Sequence, residues 1–409
     1  MGSILEIASK IRSAPVESLL GLSVATIRRN PKSARLLAEA GIRTSFHPER
    51  RKFEKEHGFA PVYVAISPTY KCNLNCDGCY SGDRENSELD LDMADRVVEE
   101  ASTKWGVVFF RLSGGEPLIP LSQGGERLRP AIEIAKRHPK KIFQMFTNGT
   151  LINDQLAAEI AEMGNLFPFV SIEGREEDTD KQRGEGVYKK ALQAMNVLTS
   201  QGVVFGASFT LSRDNAHVYE EGDFYGELMT RGALVARGLT YMPTGRGANR
   251  LRVASDEQRQ MQGEALRQLG KEGKAFYGLD YLNNPGLVSG CGVAGLRYAH
   301  VGPEGNVYGC SYLPIPAIFN VRDAYRGEYE EAGVTSLEDI ILKDPLLKIT
   351  RQIAQNRPVD KACLLIDDHE QYITAVASLV ENYPAGDFGD FFAQRLGMLA
   401  SYLEKLRNF

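Results

Sequence analysis

Three cysteines within eight residues, Cys72, Cys76 and Cys79, form a C-x3-C-x2-C motif directly after an apolar run. An odd count at this spacing does not make a disulfide framework, because one thiol is left over and the spacing is too tight for separate bridges. Thiolates at this density hold metal. Four sulfurs suit a closed zinc or ferredoxin-type site, whereas three leave one metal position open. An iron–sulfur cluster with one iron free of protein ligands binds a substrate or cofactor directly, and that is the central reading. A three-cysteine zinc knuckle completed by a histidine is the alternative.

The other three of the six cysteines, Cys291, Cys310 and Cys363, lie in the last third of the chain. Such clustering favours metal over disulfides in a reducing compartment, and it predicts oxygen sensitivity. At 409 residues, with 43% hydrophobic and 25% charged residues, the composition is that of a globular protein of more than one module. A net charge of −5 gives no electrostatic footprint for nucleic acid. No uncharged apolar run reaches about 18 residues, and the N-terminus lacks a signal-peptide core, so a cytoplasmic location is expected.

The elements that must position these thiols change character along the chain. Residues 1–60 read as a helical arm with two apolar stripes, the second ending at a candidate C-cap, Gly41. The first stripe, followed by Arg28 and Arg29, is read as packing on the main domain, with contact to a membrane surface as the rarer option. The arm is too short and strand-poor for a complete leader-peptide-binding module. From residue 61 strands alternate with helices: strands near 62–67, 107–112, 142–146, 167–172, 203–211 and 238–242. That alternation predicts an α/β fold with a parallel sheet and right-handed crossovers. Unusual residues gather just beyond the strand ends. The cysteine loop follows the first strand, Gly114-Gly115-Glu116-Pro117 the second, Asn148-Gly149 the third, Ser171 to Gly174 the fourth and Pro243 to Gly247 the sixth. In barrel folds that end carries the chemistry.

The cysteine motif together with Gly114-Gly115-Glu116-Pro117, some 35 residues later, resembles the radical S-adenosylmethionine (SAM) superfamily. The resemblance implies a partial (β/α)6 TIM-type barrel over 61–250 and a [4Fe–4S] cluster on Cys72, Cys76 and Cys79. It also implies SAM chelating the fourth iron, with reductive cleavage to a 5′-deoxyadenosyl radical. Gly114 and Gly115 then approach the methionine end, and Glu116 or nearby carbonyls take its ammonium protons. Asn148 and Ser171 are assigned to the ribose or methionyl group, and Glu173 stands where relatives place an acidic or small polar residue. Arg183 resembles the arginine that pairs with the SAM carboxylate, with a plain surface charge as the other reading. One departure stands out: relatives carry an aromatic residue just before the third cysteine, where this chain has Gly78.

After a polar helix and linker over 251–285, the spacing Cys291, thirteen residues, Gly305, four residues, Cys310 resembles the SPASM and twitch extensions of that superfamily. The extension spans 286–370 and reads as a small α+β unit, with a hairpin turning at 302–306. Cys363 adds a third thiolate, and Asp367, Asp368 and His369 are candidates for a fourth ligand of a single auxiliary iron–sulfur cluster. A zinc site or three buried thiols are the alternatives. Residues 371–409 read as a helical end, with an amphipathic helix over 390–406. The expectation is an enzyme abstracting hydrogen from a peptide or small molecule, served by a reductant such as flavodoxin or ferredoxin. A lipid or isoprenoid substrate and a non-enzymatic iron–sulfur carrier are the rivals.

Overall fold

The computed structural model describes residues 24–45, 47–85, 87–123, 126–220, 223–271, 277–280, 296–313, 315–356, 363–367 and 369–382. Six strands carry the barrel: β1 (Tyr63–Thr69), β2 (Phe109–Gly114), β5 (Ile142–Thr147), β6 (Leu166–Ser171), β7 (Gly206–Leu211) and β8 (Val235–Thr240). They pair in that order, all parallel. The intervening β3 (Leu121–Gln123) and β4 (Glu126–Leu128) form a separate hairpin. The helices Leu91–Trp105, Pro130–Arg137, Asp154–Met163 and Val187–Ser200 follow successive strands, as the alternation predicts.

Local chemistry fixes these elements. Asp90 accepts from the amides of Asp92 and Met93, and Gly106 closes the same helix in the left-handed conformation. Asn153 caps the helix Asp154–Met163 in the same way. Between helices and sheet lies a continuous apolar core that includes Val64, Val97, Trp105, Phe110, Phe143 and Leu198. Phe110 and Phe143 stack at 5.5 Å across β2 and β5, worth about 0.5–1.5 kcal/mol beyond the area they bury.

The sheet runs on at both edges. β9 (Tyr277–Asp280) adds in parallel to β8, within a stretch that reads from sequence as helix and linker. On the other side β10 (Tyr298–Val301) pairs in parallel with β1, placing Tyr298 beside Tyr63 and His300 beside Ala65. The predicted hairpin is present: β10, β11 (Asn306–Tyr308) and β12 (Pro316–Asn320) are successive antiparallel neighbours. The hairpin that leads to Cys310 is thus built directly onto the barrel's first strand. Asp344 fastens this edge: its Oδ2 accepts from the amides of Ile318 and Phe319, and its Oδ1 from those of Leu346 and Leu347.

One N-terminal reading changes. Gly41 does not end a helix; Pro31–Ser45 runs through it, because no special backbone angle is imposed there. The first stripe falls mostly outside the described residues, as do the 390–406 helix, Cys291 and Asp368. Among the described residues no helix is long and apolar enough to cross a membrane.

Candidate active site

The cysteine loop leaves β1 after a register shift between Ile66 and Thr69. Cys72 reaches the surface, while Cys76 and Cys79 are half-buried. The loop crowding Cys72 removes water from its sulfur and lifts the thiol to about 11, with Glu116, Cys76 and Cys79 adding negative charge. Burial also raises the Cys76 thiol, and Arg183 opposes that shift. The Cys72 sulfur thus feels the charge of the other two, and the Cys76 sulfur that of Cys79. Yet among the described residues no three His, Cys, Asp or Glu side chains converge on one metal-ion position. Three soft sulfur donors on one loop, with no fourth protein ligand beside them in the sequence motif, are the donor set of an iron–sulfur group with one open position.

Four segments grip this loop. The glycine-rich turn after β2 pairs backbone to backbone with it: the Gly115 amide donates to Thr69 O and the Glu116 amide to Lys71 O, at 2.8 and 2.9 Å. A Cβ on Gly115 would lie 2.1 Å from Lys71 O, so the close approach of the two loops itself demands glycine. Ser81 Oγ completes the contact by donating to Gly114 O at 2.8 Å.

Glu116 is buried and faces inward. Its Oε1 accepts from the Leu118 amide and Thr147 Oγ1, and its Oε2 from the Asn148 amide at 2.7 Å. The carboxylate assigned from sequence to the SAM ammonium is thus committed to joining the turn after β2 to the loop after β5. Burial pushes its carboxyl up to about 6 against these hydrogen bonds. Asn148, so positioned, donates through Nδ2 to Asn73 Oδ1 at 2.9 Å and lies 4.0 Å from Cys72 Sγ.

The third grip comes from the end of β6 and the segment beyond it. Ser171 Oγ lies 3.3 Å from Ser208 Oγ. Glu173 has no exposed surface; its Oε1 accepts from Arg183 Nε and Nη2, and its Oε2 from the Thr210 amide at 2.6 Å. Burial alone would lower the Arg183 pKa, but Glu173 and then the nearby Cys76 hold it above the usual arginine value. One residue earlier, Gln182 O accepts from the Asp77 amide at 2.8 Å, tying the helix Glu176–Arg183 to the cysteine loop.

From sequence the segment after β8 reads only as a glycine turn; it is the fourth grip. The Arg246 amide donates to Cys79 O, and its guanidinium to Cys76 O and Gly82 O, at 3.0, 3.4 and 3.1 Å. Gly245, at φ +78°, leaves only 2.3 Å between a notional Cβ and Cys79 O. Arg252 donates to Asp77 Oδ2 at 2.7 Å and to Asp214 Oδ2 at 2.9 Å. Contact between segments after β1 and after β8 shows that the sheet curls around a mouth. The same contact accounts for Gly78: a Cβ there would sit 2.7 Å from Cε2 of Tyr241. The Tyr241 ring occupies the volume an aromatic side chain at 78 would need. The alternation of Gly and Arg over 245–252 was the available signal for this strap.

In the second group, Cys310 and Cys363 share one apolar cluster with Met242, Leu313 and Tyr372. The Cys363 thiol donates toward Met242 Sδ at 3.8 Å. Burial raises the Cys310 thiol. Asp367 is engaged already: its Oδ2 accepts from the Cys363 amide and its Oδ1 from Arg259. His369 lines a small cavity with Thr244 and Arg250.

A curled parallel sheet with a three-cysteine loop at its C-terminal mouth is the architecture of a barrel-type enzyme. Residues 66–212, which carry the strands from β1 to β7, match the model of the radical SAM superfamily. Its cofactors are a [4Fe–4S] cluster and SAM. Among characterised relatives, the chain is 28% identical over 283 residues to the mycofactocin maturase MftC of Mycolicibacterium smegmatis, covering 66% of this chain and 69% of that one. It is 28% identical over 307 residues to an AdoMet-dependent heme synthase of Methanosarcina barkeri, covering 67% and 84%. Two solved structures share the fold: Streptococcus suis SuiB bound to S-adenosylmethionine (TM-score 0.58, 13% identity, 85% of this chain and 80% of that one) and anSMEcpe with bound AdoMet (0.56, 15%, 85% and 98%).

Proposed function

We propose that this radical SAM enzyme abstracts a hydrogen atom from a peptide held over the barrel mouth, using Cys72, Cys76 and Cys79 as the cluster ligands. The observation that carries the reading is the fourfold clamping of the cysteine loop by the turns after β2, β5, β6 and β8. When bound, the cluster and SAM supply reductive cleavage to a 5′-deoxyadenosyl radical and the hydrogen abstraction itself. The chain supplies position. Arg183 presents a planar donor held rigid by Glu173 beside Cys76, suited to a carboxylate. Asn148 keeps an amide against Cys72, and Ser171 a hydroxyl at the end of β6. Tyr241 offers an aromatic edge next to Gly78, in place of the aromatic residue the motif lacks.

A peptide ranks ahead of a small molecule because a maturase is among the relatives and SuiB has been solved with a precursor peptide. The heme synthase relative supports the second reading. Cys310 and Cys363 pack in one cluster and, with Cys291, are assigned to an auxiliary iron–sulfur site that accepts an electron or anchors substrate. The test offers deuterated candidate peptides and tetrapyrroles to reconstituted enzyme. Deuterium in 5′-deoxyadenosine from a peptide supports the proposal; transfer from a tetrapyrrole alone overturns it.

A further inference from the structure

Arg84 lies five residues after Cys79, on the same loop. Its guanidinium sits against the rings of Tyr70 and Tyr308, 5.0 and 4.4 Å from their centroids. Nη1 donates to Tyr70 OH at 2.7 Å. Nη2 reaches across to the hairpin extension and donates to Ser311 O at 2.8 Å and Leu313 O at 3.1 Å. Those carbonyls belong to the turn that Cys310 opens, since the Leu313 amide donates to Cys310 O. A second grip runs alongside: Tyr80, next to Cys79, meets Tyr312 edge-on at 5.0 Å.

The other described cysteine of the second group is held by the same device. Arg250 donates to Leu365 O and Ile366 O, both at 3.3 Å, just past Cys363. Arg250 stands on the strap whose Arg246 holds the carbonyls of Cys76 and Cys79.

We propose that Arg84 is a positioning residue that couples the Cys310 turn to the loop of Cys72, Cys76 and Cys79. A guanidinium stacked on two rings has little freedom to follow its partners. If the Cys310 turn shifts, as when its thiol gains or loses a ligand, either two charge-assisted hydrogen bonds break or the loop at Cys79 moves with it. Bonds of this kind are about twice as strong as neutral ones, so the loop moves. The inference rests on the loop holding the cluster, but it holds whatever Cys310 ligates.

A double-mutant cycle on reconstituted holoenzyme tests it: wild type, Arg84→Met, Cys310→Ser and the double variant, each checked for iron content and melting. The readouts are the electron paramagnetic resonance signal of the reduced first cluster with and without SAM, and SAM affinity at equilibrium. Each single variant is expected to alter the signal and weaken SAM about 5- to 20-fold, in the range of ordinary site-to-site coupling. The double variant is expected to be no worse than either single. Arg84→Lys, which keeps the charge but not the planar fork, should fall between, and it replaces Arg84→Met in the cycle if that variant does not fold. Losses that multiply in the double variant, or an unchanged signal in folded Cys310→Ser, overturn the inference alone. Wild-type protein that takes up no iron overturns the loop reading and this inference with it.

Discussion

Glu173 and Arg183, ten residues apart, form a buried ion pair at the barrel mouth, with the Thr210 amide occupying the carboxylate oxygen that Arg183 leaves free. Removing one partner strands a charge with little access to water, at a cost of about 3–5 kcal/mol. Glu173→Gln should therefore lower the urea midpoint clearly and also weaken SAM binding, because Arg183 loses its fixed orientation. A variant with wild-type SAM affinity would show that the pair serves folding alone.

Glu116 is expected to behave as a loop organiser rather than a ligand of SAM. Glu116→Gln leaves the Asn148 amide facing an amide nitrogen or unpaired, a loss of about 1–3 kcal/mol. The effect should appear as lowered stability of the cofactor-free protein, measured by thermal melting. If stability is unchanged and only SAM binding suffers, the ligand role assigned from sequence is restored.

Two carboxyls give a pH signature. Burial lifts Glu116 and Asp344 to about 6, from ordinary values of 4.5 and 3.8. Because the folded-state values lie above the unfolded ones, the folded protein holds these protons more tightly. Their contribution to stability is full below the unfolded values and is lost as pH rises through about 6. Urea midpoints across that window should show a downward component that is absent in the Glu116→Gln/Asp344→Asn double variant. Parallel curves for the two proteins would contradict this.

Tyr241 and Gly78 should be exchangeable only as a pair. Gly78→Phe drives a side chain into the Tyr241 ring from a left-handed backbone, so iron loading should fall. Combining it with Tyr241→Gly should restore loading in part, the coupling being read by iron analysis. Equal loading in all variants would show that the ring and the loop do not compete for the same space.

Much of this was legible in the chain. The alternation of apolar strands and amphipathic helices follows from burial on one face, so the six strands and their loop order appear in sequence. Cysteine spacing is equally local. What stayed hidden is long-range. Nothing near Glu116 announces that its oxygens satisfy amides at 118 and 148, and Gly78 is intelligible only once Tyr241, 163 residues away, is seen against it. The parallel pairing of β10 with β1 likewise has no local signature, because strand periodicity does not name a partner. Gly41 misled because a glycine at the end of a stripe and one within a longer helix look alike.

The central proposal is that three thiolates, Cys72, Cys76 and Cys79, hold an iron–sulfur cluster able to cleave SAM. Anaerobically reconstituted wild-type protein, given dithionite and SAM, should release 5′-deoxyadenosine, while Cys76→Ala should release none. Cys310→Ala should lose about four iron atoms yet keep cleaving SAM. Wild-type protein with full iron and sulfide content but no 5′-deoxyadenosine, or with zinc in place of both, would contradict the account.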